Sequence, residues 1–125
     1  MPFDGVIQPT NPDTTKSPMR ECADRVVDLI KGGWCQGVHA RTHPDSGKPS
    51  YCVIGAIQEV TELDFDNRNF NIYREICINL SAFLIDNCYV GNKCGRFAKI
   101  ITWNDDPRRT HGEVVSVLEE WAKTL

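Results

Sequence analysis

Residues 101–125 read ITWNDDPRRTHGEVVSVLEEWAKTL, and the fold class follows from how this stretch is punctuated. Thr110, His111, Gly112 and Glu113 have the form of a capping box, in which the threonine and glutamate side chains each satisfy a backbone N–H at the start of a helix. Behind it Val114, Val117, Leu118, Trp121 and Leu125 recur at three- and four-residue steps, while Glu119, Glu120 and Lys123 take the other face. That is an amphipathic helix with one buried side. Ahead of the box, each residue suits a tight connection. Trp103 ends an apolar face and needs a partner for its indole N–H. Asn104 tolerates the left-handed backbone that terminates helices, and Asp106 is pushed out of the helical region by Pro107. Asp105 or Asp106 can hold the turn by bonding Arg108, Arg109 or a nearby N–H. The stretch predicts helix, turn, helix.

Working towards the N-terminus, FAKIITW places Phe97, Ile100 and Ile101 at helical spacing, so a short helix is expected there, although Ile-Ile-Thr-Trp also suits a strand. CYVGNKCGR is a loop. FNIYREICINLSAFLIDN carries a stripe of Ile72, Ile76, Leu80, Phe83 and Leu84, capped by Asn69 or Asn71. YCVIGAIQEVTEL is helical again, with Cys52, Gly55, Ala56 and Glu59 on one side and Val53, Ile57 and Val60 on another. Gly55 inside it costs about 1 kcal/mol against alanine, which is offset where another backbone approaches closely. In GWCQGVHARTHPDSGKPSY the helical period is lost, and Val38, Ala40 and Thr42 alternate before a turn at Asp45-Ser46-Gly47, as in a short hairpin. The first helix opens at Ser17-Pro18, runs through Met19, Cys22, Val26, Leu29 and Ile30, and stops at Gly32-Gly33. Residues 1–16 show no periodicity and read as a flexible or surface-lying segment. The expected architecture is mainly α: one compact domain over residues 17–125, a bundle of four to five helices with room for one short β-hairpin.

At 125 residues, 41% hydrophobic and 25% charged, the chain has the make-up of a single globular domain. A net charge of −3 argues against a broad basic footprint for nucleic acid. Only Arg20, Arg25, Lys31, Arg108 and Arg109 are available to build a local patch. No apolar run nears the roughly 20 residues that span a bilayer, and the first residues lack the pattern of a signal peptide. The expected location is the cytoplasm, with no membrane association. Six cysteines without a secretion signal read as reduced thiols, and Cys22, Cys52 and Cys77 fall within apolar patterns. Cys88 and Cys94 read as two loop thiols, because they lack Cys-x-x-Cys spacing.

Three constellations bear chemistry. Cys35, His39, His43 and Cys52 are the candidate metal ligands, in a Cys-x3-His-x3-His-x8-Cys arrangement that is not among the common zinc spacings. Cys35 is also a candidate nucleophile, with His39 or His111 as its base and Asp105 as the orienting carboxylate. Asn104, Asp105 and Asp106 are three adjacent oxygen donors, but their spacing is not that of an alternating calcium loop. Phosphate-binding loops, dinucleotide fingerprints, zinc-protease and serine-hydrolase motifs are all missing. No cofactor is expected.

The strings Trp-x-Gln-Gly-x-x-Ala-Arg at residues 34–41, Cys-x-x-Gly-Ala at 52–56 and Trp-Asn-Asp-x-Pro-x-Arg-Thr-x-x-Glu-Val at 103–114 resemble a family of short uncharacterised bacterial and phage proteins, over roughly residues 20–122. The resemblance implies a small, mostly helical domain and brings no activity or ligand with it. It groups Gln36, Asn104, Asp105, Arg109 and Thr110 in one polar cluster near Trp34 and Trp103, which is either a buried network or the floor of a recognition groove. The network is the expectation. With Arg108, these residues are the candidates for contact with a ligand or partner. The expected function is a non-enzymatic protein-binding or regulatory accessory module. The alternative is a small hydrolase or transferase that uses Cys35 or the Asn104-Asp105 region with a histidine.

Overall fold

A computed structural model of the protein describes residues 17–63, 70–90 and 96–125. The chain forms α1 (Pro18–Gly32), β1 (Ala40–Thr42), β2 (Pro49–Tyr51), α2 (Val53–Leu63), α3 (Phe70–Asp86), α4 (Arg96–Asn104) and α5 (His111–Lys123). The expectations for residues 1–16, for the Asn69 cap and for Cys94 lie outside the described residues. Asn71 falls inside α3 rather than ahead of it.

The predicted caps form. Ser17 Oγ accepts from the Arg20 N–H at 3.1 Å with Pro18 next in line, and both halves of the capping box at Thr110 and Glu113 are made. At the far end of α1 the Gly33 N–H reaches the Leu29 and Ile30 carbonyls with an extended backbone. Glycine is needed there for space: a Cβ on Gly33 would lie 2.6 Å from the Pro49 carbonyl oxygen. α3 ends in a Schellman motif, in which the Tyr89 N–H donates to the Leu84 carbonyl at 2.8 Å and the Cys88 N–H to the Ile85 carbonyl at 3.0 Å. Cys88 holds the left-handed position, at φ 63°, that glycine usually fills. Tyr89 stacks on Phe83, the apolar contact that accompanies this motif.

α2 is the centre of the bundle. It packs against α1, α3, α4 and β2, and every residue from Cys52 to Ile57 is buried. The first half of α2 is covered all round, so the two faces expected from the sequence are both interior there, and among the described side chains of this helix only Gln58, Glu59 and Glu62 reach towards the surface. The stripes of α1 and α3 close on it and that of α5 on α1, with Val26, Ile30, Ile76, Leu80, Leu84, Leu118 and Trp121 fully buried. The Trp121 indole N–H donates to Asn79 Oδ1 at 2.8 Å and so joins α5 to α3. Among the described residues of α4, Lys99, Ile100, Trp103 and Asn104 are buried, whereas Ile101 is 37% exposed. The apolar face expected through Ile101 is thus turned by one residue, and a polar residue, Asn104, completes it.

The hairpin is antiparallel, with Ala40 opposite Tyr51, Arg41 opposite Ser50 and Thr42 opposite Pro49. It crosses α2 at Gly55, where an added Cβ would fall 2.7 Å from the His39 carbonyl carbon and closer still to its oxygen. The close backbone approach expected at Gly55 is this crossing. Among the described residues no helix is long and apolar enough to cross a membrane.

Candidate functional site

The C-terminal end of α4 and the turn after it meet the loop between α1 and β1. Asn104, 1% exposed, is the junction. Its Oδ1 accepts from the Trp34 indole N–H at 2.8 Å and from the Val53 N–H, at the start of α2, at 3.1 Å. Its Nδ2 donates to the Cys35 carbonyl at 3.1 Å and to Asp105 Oδ1 at 2.8 Å. Both acceptor and both donor positions of the amide are filled. Asn104 keeps the helical backbone and is the last residue of α4, so the left-handed terminator expected at this position is replaced by a side-chain junction.

The neighbouring residues serve the same joint. Gln36 Nε2 donates to the Asn104 carbonyl at 2.9 Å and to the Asp106 carbonyl at 2.8 Å, answering acceptors that the end of α4 leaves open. Asp105 Oδ1 also accepts from the Gly37 N–H at 3.1 Å. Asp106 shapes the turn, and the Arg108 N–H on its carboxylate at 2.9 Å, aided by the Arg108 side chain, holds its carboxyl below the usual range. Arg109 lies over the Trp103 ring with its guanidinium carbon 4.9 Å from the centroid, while its Nε donates to the Trp103 carbonyl at 2.9 Å. A second nitrogen is 3.3 Å from Glu113. Its side chain is only 14% exposed, against 91% for Arg108. Of the two arginines offered for an external contact, one is folded inward and Arg108 alone projects. The partner expected for the Trp103 indole N–H is not found among the described residues.

The candidate catalytic groups do not assemble. Cys35 is buried, and its thiol donates to the Val38 carbonyl at 3.5 Å. Burial pushes this thiol above its ordinary pKa, Arg41 opposes the shift and Asp105 adds to it. That is the reverse of an activated nucleophile. His39 is exposed and joins the structure through its carbonyl, which accepts from the Cys52 N–H at 3.0 Å. His111 stacks on Trp34 at 6.0 Å and bonds the Ile30 carbonyl at 2.5 Å. A carbonyl only accepts, so Nε2 carries the proton in this contact. Asp105 is bound to Gly37 and Asn104. Among the described residues no histidine is hydrogen-bonded to Cys35.

The four candidate metal ligands separate in the same way. Cys52 is buried with its sulfur accepting from the Gly55 N–H at 3.3 Å, and burial raises this thiol too. His43 Nδ1 accepts from the Asp45 N–H at 3.2 Å inside the hairpin turn. Among the described residues no group of three or more His, Cys, Asp or Glu is placed to hold an ion. The hairpin parts them: its two ends lie at the core, and its exposed arm carries both histidines outward.

Sequence reasoning did not foresee a groove of about 420 Å³ between α1 and α5, lined among others by Arg20, Asp24, Asp28, Lys31, Glu119 and Lys123. Each cation offered for a basic patch here has a carboxylate beside it: Arg20 is 3.1 Å from Asp24, and Lys31 is 3.0 Å from Glu119. The i, i+4 signal of the first pair is present in the sequence, but the second joins two helices and has no local trace.

Among known proteins, a model for a family of unknown function, DUF6197, matches residues 12–124. No curated protein and no solved structure matches the chain.

Proposed function

The chain belongs to that family of unknown function, matched over nearly its whole length, and from this premise we propose that it is a non-enzymatic protein-binding or regulatory module, an accessory protein of a bacterium or phage that works in the cytoplasm. The observation that carries the reading is the saturation of Asn104. The polar residues with the best claim to chemistry, Gln36, Asn104 and Asp105, are spent on backbone groups of the loop and turn they join. A group already holding the scaffold in this way is poorly placed to transfer protons or bind a reacting atom. The joint instead fixes the loop that leads into the hairpin.

Thiol reactivity tests this reading against the hydrolase alternative. When the reduced, folded protein is treated with iodoacetamide near neutral pH and each cysteine is followed by peptide mass spectrometry, Cys88 is expected to be labelled because it is exposed. Buried Cys35 should react at least about ten-fold more slowly, because its thiolate is disfavoured. Preferential labelling of Cys35 would overturn the non-enzymatic reading and promote the nucleophile.

A further inference from the structure

Three extended segments lie side by side: the backbone of residues 33–35, then β2, then β1. Tyr51 donates to the Gly33 carbonyl at 3.0 Å, and the Cys35 N–H donates to the Tyr51 carbonyl at 3.1 Å, so β2 is closed on both sides. β1 has β2 on one side and no further strand on the other among the described residues. The peptide groups of β1 divide by parity. The His39 carbonyl accepts from the Cys52 N–H, and the His43 N–H donates to the Lys48 carbonyl at 2.8 Å. With Arg41 opposite Ser50, the alternation of an antiparallel pair turns residues 39, 41 and 43 towards β2 and leaves the N–H and C=O of Ala40 and Thr42 at the outer edge. All of residues 37–49 are exposed, and Val38, just ahead of the strand, is 44% exposed.

An open edge is a template for another strand, and proteins blunt one by shortness, charge, proline or a bulge. β1 is three residues long and carries Arg41, which restricts the strands it can take, but it has neither proline nor bulge. It is also presented rigidly: Asp105 and Gln36 fasten the loop before it, and His39 is seated over Gly55. A partner would therefore meet an edge whose ordering cost is already met by the fold.

Charge selects the occupant. Residues 38–48 hold Arg41 and Lys48 against Asp45, a local excess of positive charge on a chain of net −3. Were a second copy to pair in the register that uses both outward residues reciprocally, Ala40 would face Thr42 and Arg41 would face Arg41 at the close, non-hydrogen-bonded spacing, and a register shifted either way would set Arg41 against a histidine rather than a carboxylate. Like charges directly opposite one another are destabilising. We propose that the outer edge of β1 receives an extended acidic segment of a partner protein as an added strand, with a carboxylate of that segment opposite Arg41. The proposal rests on reading the protein as a binding module and names the surface and partner chemistry for it.

The test uses the isotope-labelled full chain and two synthetic peptides of equal length, one alternating valine with glutamate and the other valine with lysine, followed by amide NMR. The glutamate peptide is expected to shift the Ala40 and Thr42 amides and slow their exchange, and the lysine peptide to leave them unchanged. Thr42→Pro removes an outward N–H and no bond to β2, and should weaken binding about five-fold or more, while Arg41→Glu should reverse the preference between peptides. Silence of Ala40 and Thr42 at millimolar glutamate peptide, or an equal response to both peptides, overturns the proposal. So does self-association of the free chain that Thr42→Pro abolishes, since the edge would then belong to a second copy. If the edge is silent while Cys35 stays inert to alkylation, the edge assignment alone fails. If it is silent while Cys35 labels preferentially, the binding-module reading fails with it.

Discussion

Asn104 shows how much one amide holds. Cutting it back to alanine leaves the Trp34 indole N–H, the buried Val53 N–H and the Cys35 carbonyl without the partner each has now. An unsatisfied buried polar group costs about 1–3 kcal/mol, so Asn104→Ala is expected to lose about 3 kcal/mol or more in urea unfolding. Trp34→Phe, which removes one donor and some ring area while Asn104 keeps its other bonds, should lose less than half as much. An unchanged midpoint for Asn104→Ala would mean that water replaces the joint without cost. The sequence made these residues legible as a group, through the strings around Trp34 and Trp103. It did not reveal that Asn104 reaches the first N–H of α2, because that bond spans 51 positions and leaves no local pattern.

Helix ends are where local chemistry speaks most directly. Ser17-Pro18 and Thr110-Glu113 were legible because a cap is a relation between residues three apart. The end of α3 follows the same rules with an unexpected residue in the left-handed position. An L-residue with a Cβ costs roughly 1–2 kcal/mol there, so Cys88→Gly, despite the added freedom of the unfolded chain, is expected to raise stability by about 0.5–1 kcal/mol in thermal or urea unfolding. A loss of stability would show that the cysteine side chain has a packing role at the surface. The hairpin was harder to read. Its alternation at Val38, Ala40 and Thr42 suggested a short hairpin, and one forms, although every residue of β1 is exposed. Its position is set by backbone contact with Gly55 and Gly33, and the spacing of apolar side chains carries no record of that contact. Ile101 misled for a related reason: the interior face of α4 ends in Asn104, and a polar residue in the core breaks the pattern that periodicity detects.

Across the whole molecule, the buried thiols link stability to pH. Burial pushes Cys77 up to about 12, and Cys35, Cys52, Tyr51 and Tyr73 are raised from their ordinary values by the same cause. An unfolded cysteine releases its proton near pH 9.0, whereas folded Cys77 retains it. Its contribution is therefore fully present below about pH 9 and is lost as the pH rises towards 12. The melting temperature measured under reducing conditions is expected to fall steeply above about pH 9, and Cys77→Ala to give a shallower fall from a somewhat lower neutral value. Equal alkaline slopes in the two proteins would place the titration elsewhere. A second consequence follows from the way α1 packs against α5. His111, at the start of α5, touches the end of α1, and Lys123, at its close, shares a groove with Arg20. The stripe of α1 is thus covered in two instalments, by α2 close behind it in the chain and by α5 some eighty residues further on, so a nascent chain halted before residue 111 keeps the α5-facing side of α1 open as a sticky surface.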